Sequence, residues 1–372
     1  MSLNKQPEKS IYSSEEMKTE LRERYQYTID FGSLDFPDDA EAIRNTNEYL
    51  VSQMEKFDWP EETRFEMPVD RSHLESMLRR YEESVARSIN YYRTKGFKLL
   101  DIFAGPVNSG KLEVTLREMF GQDSAVVLVN AGLQSLMYQC GKVLVHGVLR
   151  ETDGEGPEYT EEIAADFLFQ IIVEASGGDP RKAQRTELKS HNMMFFAGAI
   201  ADSVSLFSIA HEIAHITEEP DSNMTVDELE LRADSMAMEV IIADYRQYLN
   251  SVDGKLSTNQ RLYYLCHLLA PLLFLEICFA VSCFKPVNRG KAEVSFRDYP
   301  SPLTRRNALI ELLTTEGLWP QIENNFVRFN KLTTSALKLM WNEIKLTGRL
   351  RSETLNVIET KNGTVSQESI HF

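Results

Sequence analysis

The chain has 372 residues, 42% of them hydrophobic, which is enough for one large domain or two ordinary ones. Its formal net charge of −16 argues against a nucleic acid partner, because an acidic surface and phosphate groups repel each other. Its four cysteines lack CxxC spacing, which argues against a zinc ribbon or a thioredoxin-type site and fits a reducing cytosol.

The N-terminal half mixes helical and strand-like patterns. Residues 1–13 are polar, lack the apolar run of a secretory signal and are expected to be disordered. Helical periodicity recurs near Ser14 and over 38–57, 71–95 and 131–149. Two aliphatic runs predict strands over 97–104 and 124–130. We therefore predict an N-terminal α/β region over 14–180, which ends within the glycine- and proline-containing cluster 176–184.

The C-terminal half is predicted to be a helical domain over 186–346, followed by a flexible tail over 353–372. Its helices are expected over 200–218, 225–250, 258–284, 303–315 and 320–346. Just before the first of them, the apolar run Met193–Phe196 predicts a buried strand or the approach to a helix. The fold class that follows is α+β and predominantly helical.

The apolar segment 262–284 has the length of a membrane span. Its interior contains His267, Pro271 and Glu276, which are each unfavourable in lipid. We therefore predict a buried helix of a soluble core rather than a membrane-bound protein. Within it, His267 is expected to be a core residue with satisfied hydrogen bonds, and a role beside the metal site described next is the alternative.

The stretch HEIAH, residues 211–215, has the spacing of a zinc site. Four residues apart on a helix, His211 and His215 lie on the same face and can bind one ion. Glu212 points to a different side, where it can act as a general base on a water molecule without binding the metal. This pattern predicts a metal-dependent hydrolase.

A second acidic motif supplies the missing ligand. In DELELRAD, Glu230 and Asp234 are also four residues apart on a predicted helix. Glu230 is the predicted third zinc ligand, and Asp234 the predicted acceptor for the second N–H group of a ligating histidine. Glu228 is a rival for the ligand position, but no carboxylate follows it four residues later.

The order HEIAH and then ELRAD resembles the gluzincin group of zinc metallopeptidases, in which two histidines and a glutamate bind Zn²⁺. Residues 299–309, YPSPLTRRNAL, extend this resemblance over about 200–310. Short-spacer gluzincins and the phage-exclusion Lit-type peptidases carry a His-Pro motif and an arginine after an apolar helix. The resemblance implies a zincin-like core and a cytoplasmic endopeptidase that cleaves a protein or peptide, with a role in bacterial phage defence or stress response.

Tyr299 departs from this pattern, because it stands where those families have histidine. Its hydroxyl group can still donate a hydrogen bond to an oxyanion, so Tyr299 is a catalytic candidate beside Glu212. Arg305 is expected to pair with Asp234 or with substrate, and a surface helix arginine is the alternative. The substitution at Tyr299 also favours a second hypothesis, a catalytically inactive zincin-like binding or regulatory module.

A third hypothesis rests on GPVNSGKL, residues 105–112, which has the glycines and the lysine, Lys111, of a phosphate-binding loop. Leu112 occupies the position where such loops carry the serine or threonine that binds magnesium. A simple turn after a strand is the preferred interpretation.

Overall fold

The computed structural model describes residues 72–99, 101–107, 112, 114–118, 124–147, 159–177, 191–217, 224–251, 258–288 and 300–347. These residues form a predominantly helical α+β fold, as predicted, with eight helices and one three-stranded sheet. Several predicted segments lie outside the described residues: 1–13, the helices near Ser14 and over 38–57, and the tail 353–372.

The elements are numbered here in chain order within the described residues. They are α1 (Ser72–Thr94), β1 (Asp101–Val107), β2 (Val114–Glu118), β3 (Ser124–Asn130), α2 (Ala131–Gly147), α3 (Glu161–Gly177), α4 (His191–Thr217), α5 (Val226–Ser251), α6 (Thr258–Asn288), α7 (Pro302–Thr315) and α8 (Trp319–Thr347).

The sheet has the strand order β1-β3-β2, with β3 in the middle. β3 pairs parallel with β1, where Phe103 is opposite Val126, and antiparallel with β2, where Leu116 is opposite Val127. The central strand reads as a continuous aliphatic run because it is buried on both faces. Among the described residues β2 pairs only with β3, so β2 lies at an edge of the sheet.

Helices α2 and α4 pack closely against each other. A Cβ atom added to Gly141 of α2 would lie 3.0 Å from the carbonyl oxygen of Ala197 in α4. Glycine is needed at this contact because any side chain would push the two backbones apart. Gln134 contacts Ser205 at the other end of the interface, so α2 and α4 run antiparallel.

One hydrophobic core extends from α1 to α8 and includes residues on both sides of the predicted boundary at 176–184. Helix α1 of the N-terminal region contacts helices α4 and α5 of the C-terminal half through ion pairs and a hydrogen bond. Arg80 pairs with Asp202 of α4, and Arg87 pairs with Asp244 of α5. The buried hydroxyl group of Tyr92 donates a hydrogen bond of 2.9 Å to the carbonyl oxygen of Ala210 in α4.

Helix α6 contains the one helix segment in the described residues, Gln260–Ser282, that is long and apolar enough to cross a membrane, and 78% of its apolar window is buried in the protein. Its polar residues have partners on neighbouring helices. Glu276 pairs with Arg306 of α7, and His267 contacts Ser203 of α4. These contacts support the prediction of a core helix.

Several predicted boundaries differ from the structure. The helix predicted over 200–218 begins nine residues earlier, at His191, so Met193–Phe196 are helical and the predicted strand is wrong. The strand predicted over 97–104 begins only at Asp101. Strand β2 and the extent of helix α3 were not predicted. The remaining described helices begin and end within four residues of their predicted limits.

Candidate metal centre

The first half of the centre comes from the end of α4. His211 and His215 lie on one face of the helix, and their Nε2 atoms are 3.1 Å apart. The aliphatic residues around them are fully buried: Ile209, Ala210, Ile213 and Ala214. Packing of these residues therefore fixes the direction in which the two imidazole rings point.

The second half comes from the start of α5, which begins with a capping box. The Thr225 hydroxyl group accepts from the Glu228 amide at 3.3 Å, and the Glu228 carboxylate accepts from the Thr225 amide at 2.7 Å. This occupies Glu228, which is exposed, and rules it out as the rival ligand. Glu230, two residues later, points to another side of the helix and is buried.

The predicted ligands converge. The Glu230 carboxylate oxygens lie 3.4 Å from Nε2 of His211 and 3.4 Å from Nε2 of His215. A tetrahedral zinc ion with ligand bonds of about 2.0–2.1 Å separates its ligand atoms by about 3.3–3.4 Å. Oε2 of Glu230 makes the approach to His211 and Oε1 the approach to His215. All three side chains offer ligand atoms within 4.8 Å of one another, so His211, His215 and Glu230 could hold one zinc ion.

Asp234 lies where it can orient His211. Its Oδ1 atom lies 2.9 Å from Nδ1 of the ring, and Asp234 itself has no exposed surface. When Nδ1 of the neutral ring carries the proton, Nε2 presents a lone pair towards the Glu230 oxygens. Two acceptors that face each other at this distance require a proton or a cation between them.

Arg305 of α7 binds Asp234 with two hydrogen bonds, each 2.6 Å long. Its Nη1 atom is also 3.6 Å from Glu230. The start of α7 positions this side chain, because Ser301 caps the helix by accepting from the Thr304 amide and Pro302 occupies its first turn. Of the alternatives for Arg305, the structure thus shows the pair with Asp234.

The charges shift the ionisation of the whole cluster. Burial alone would lower the pKa of His211, but the Asp234 and Glu230 carboxylates outweigh burial and raise it from 6.5 to about 9. Burial would raise the pKa of Glu230, yet contacts with His211 and His215 hold it well below its usual range. Positive charge is therefore strongly favoured between these side chains.

Glu212 lies beside the cluster rather than in it. Its Oε2 atom accepts a hydrogen bond of 3.2 Å from the backbone amide of Leu116 in β2. Burial is the main cause that raises its pKa above 4.5. A carboxylate that is held in place, has a raised pKa and does not contact the ligand atoms has the properties of a general base.

The contact with Leu116 was not predicted, because a backbone donor can come from any residue type. The only signal for it was the five-residue run VTLRE of β2. With both histidines neutral, as metal binding requires, with Glu212, Glu230 and Asp234 ionised and with Arg305 charged, the centre has two uncompensated negative charges. This balance matches a divalent cation.

Other predicted site residues lie outside this cluster or outside the described residues. Tyr299 is outside the described residues, as is Lys111. Gly105 lies within β1, and Leu112 leads into strand β2 rather than into the helix that a phosphate-binding loop requires. The nucleotide hypothesis is therefore not supported.

His267 does not reach the metal centre. Its Nδ1 atom contacts the Ser203 hydroxyl group, and its Nε2 atom is 3.2 Å from Asp244. It is buried in the core, as expected, but its Nε2 atom lies near Asp244 without making a hydrogen bond. Ser203 lies inside α4 and donates to the carbonyl oxygen of Ala199.

Comparison of the chain with protein-family models, with curated proteins and with solved structures finds no match. The similarity to gluzincin peptidases therefore remains a prediction from the sequence motifs.

Proposed function

We propose that the chain is a cytoplasmic, zinc-dependent endopeptidase with a zincin-like core. One observation carries this proposal: the nearest polar atoms of His211, His215 and Glu230 approach one another to 3.1 to 3.4 Å, close to the ligand spacing of a tetrahedral zinc ion. The motifs resemble those of phage-exclusion Lit-type peptidases, which suggests an intracellular protein as substrate and a role in bacterial phage defence or stress response.

Each described residue of the centre then has a defined task. His211, His215 and Glu230 hold the metal. Zinc supplies a Lewis acid that polarises the scissile carbonyl group and lowers the pKa of water towards 7. Glu212 accepts the proton of the attacking water and delivers it to the leaving amine. Asp234 keeps His211 in the tautomer whose Nε2 lone pair faces the metal.

The position of β2 at an edge of the sheet is an argument for a peptide substrate. In an antiparallel pair, residues alternate between hydrogen bonding to the partner strand and pointing away from it. The backbone amide of Leu116 donates to Glu212, so this N–H group points away from β3. An extended peptide can add to such an edge next to Glu212, and this would bring its carbonyl groups beside the metal ligands.

The test compares the purified full-length protein with Glu212→Gln. Both proteins are incubated with a complex peptide library, the new N-termini are counted by mass spectrometry, and zinc is measured by elemental analysis. We expect about one zinc ion per chain in both proteins and a loss of cleavage of at least about 100-fold in Glu212→Gln, because general base catalysis contributes that much or more.

Glu228→Gln is the matched control, since glutamine preserves the capping box and makes the same chemical change on an exposed side chain. It should cleave like the wild type. Cleavage by Glu212→Gln at the wild-type rate would show that the assigned base is wrong. A wild-type protein that binds zinc but cleaves nothing would favour the inactive binding module.

A further inference from the structure

Helix α4 carries a polar stripe that leads to the metal centre from inside the protein. Ser205, Ser208 and Glu212 follow one another at intervals of three and four residues. Residues at this spacing lie on one face of a helix, so Ser208 is directly one turn before Glu212. The stripe passes from the buried middle of α4 to the partly buried carboxylate of Glu212.

The Ser208 hydroxyl group is buried without a partner. Ser208 is only 7% exposed, and its Oγ atom makes no hydrogen bond with any described residue. This is unusual for helical serines in this protein. Five others donate to the carbonyl oxygen four residues earlier: Ser84, Ser88, Ser203, Ser205 and Ser235. Ser208 does not donate to the corresponding carbonyl oxygen, that of Val204.

A buried hydroxyl group without a partner is costly, and native proteins satisfy such groups with protein atoms or with ordered water. Side chains four residues apart on a helix have Cβ atoms about 5–6 Å apart, a gap that one water molecule bridges with two hydrogen bonds. The next polar group on the stripe towards the predicted metal ligands is the Glu212 carboxylate. Ser205, on the other side, already bonds to Ala201 and Gln134.

We propose that Ser208 is a positioning residue for Glu212 and holds an ordered water molecule that donates a hydrogen bond to the Glu212 carboxylate. The amide of Leu116 holds this carboxylate from the side of β2, and the water holds it from the interior. Two fixed donors restrict the carboxylate to one orientation. This inference rests on the proposed role of Glu212 as the base.

The first test is an atomic-resolution crystal structure of the full chain and of Ser208→Ala. We expect a water molecule within hydrogen-bond distance of both Ser208 Oγ and a Glu212 oxygen in the wild type. In Ser208→Ala this water is lost, and the Glu212 carboxylate adopts more than one orientation. A Ser208 hydroxyl group bonded to the Val204 carbonyl oxygen, without water, would overturn the proposal. This readout needs no peptidase activity, so it stands even if the proposed function fails.

The second test measures kcat and KM on a peptide that the wild type cleaves. Loss of one positioning hydrogen bond predicts a fall in kcat of about tenfold in Ser208→Ala, with KM and zinc content unchanged. Ser208→Thr keeps the hydroxyl group and should recover most of this loss. Ser205→Ala, one turn earlier on the same face, is the control and should keep the wild-type kcat. Equal kcat values for Ser208→Ala and wild type would contradict the positioning role.

Discussion

At the scale of single residues, each buried carboxylate near the centre has a donor or cation assigned to it. Asp234 is bound by Arg305, Glu230 contacts both histidines, and Glu212 accepts from a backbone amide. The spacing of the motifs was enough to predict the convergence of His211, His215 and Glu230 and the place of Asp234. The Leu116 contact was not predictable, because its donor belongs to the backbone.

Arg305 should tune zinc affinity through Asp234 and His211. Arg305→Lys keeps the charge but cannot make the two parallel hydrogen bonds, so Asp234 holds His211 less firmly. Loss of such a supporting contact predicts a fall in zinc affinity of about 10- to 100-fold, measurable by competition with a chromogenic chelator.

Arg306→Lys is the matched control, because Arg306 pairs with Glu276 of α6 and does not contact Asp234. Its zinc affinity should stay close to that of the wild type. If the two variants lose zinc affinity equally, the loss arises from a general disturbance of α7. It then does not arise from the contacts that join Arg305 to His211 through Asp234.

At the scale of elements, periodicity and caps located most helices, and the failures have physical reasons. Helix α4 was predicted too short because Met193–Phe196 form an apolar run without helical periodicity. In the structure, Phe196 is buried and Phe195 stacks on Tyr263 of α6, so tertiary contacts complete the helix there. Strand β2 has five residues and is defined by its pairing with β3, which no local pattern encodes.

The close contact between α2 and α4 predicts opposite effects for two glycine substitutions. Gly141→Ala places a Cβ atom 3.0 Å from a backbone oxygen of α4, so the helices must separate and the free energy of unfolding should fall by about 1–3 kcal/mol. Gly198→Ala, in α4, meets no atom within 4 Å and should raise it by about 0.5–1 kcal/mol.

Urea denaturation of both variants measures these changes. Because the substitutions are chemically identical and both glycines are helical, the difference between them isolates the close approach at Gly141. Stabilisation of Gly141→Ala to the same extent as Gly198→Ala would show that α2 and α4 do not pack as closely as the structure has them.

At the scale of the whole molecule, the candidate metal centre joins parts of the chain that are distant in sequence. The ligands come from α4 and α5, the supporting arginine comes from α7, and the amide that holds the base comes from β2 of the N-terminal region. Composition and motifs predicted a predominantly helical α+β chain but not this joint contribution. Contacts between distant segments depend on how the elements pack, and the spacing within one motif does not predict this packing.

The central claim is that His211, His215 and Glu230 hold one zinc ion. Anomalous X-ray diffraction from crystals of the full chain grown with zinc, recorded above and below the zinc absorption edge, tests it most directly. We predict one strong anomalous peak bounded by the two Nε2 atoms and the Glu230 carboxylate. Zinc bound only at other positions, with no peak between these three side chains, would contradict the claim.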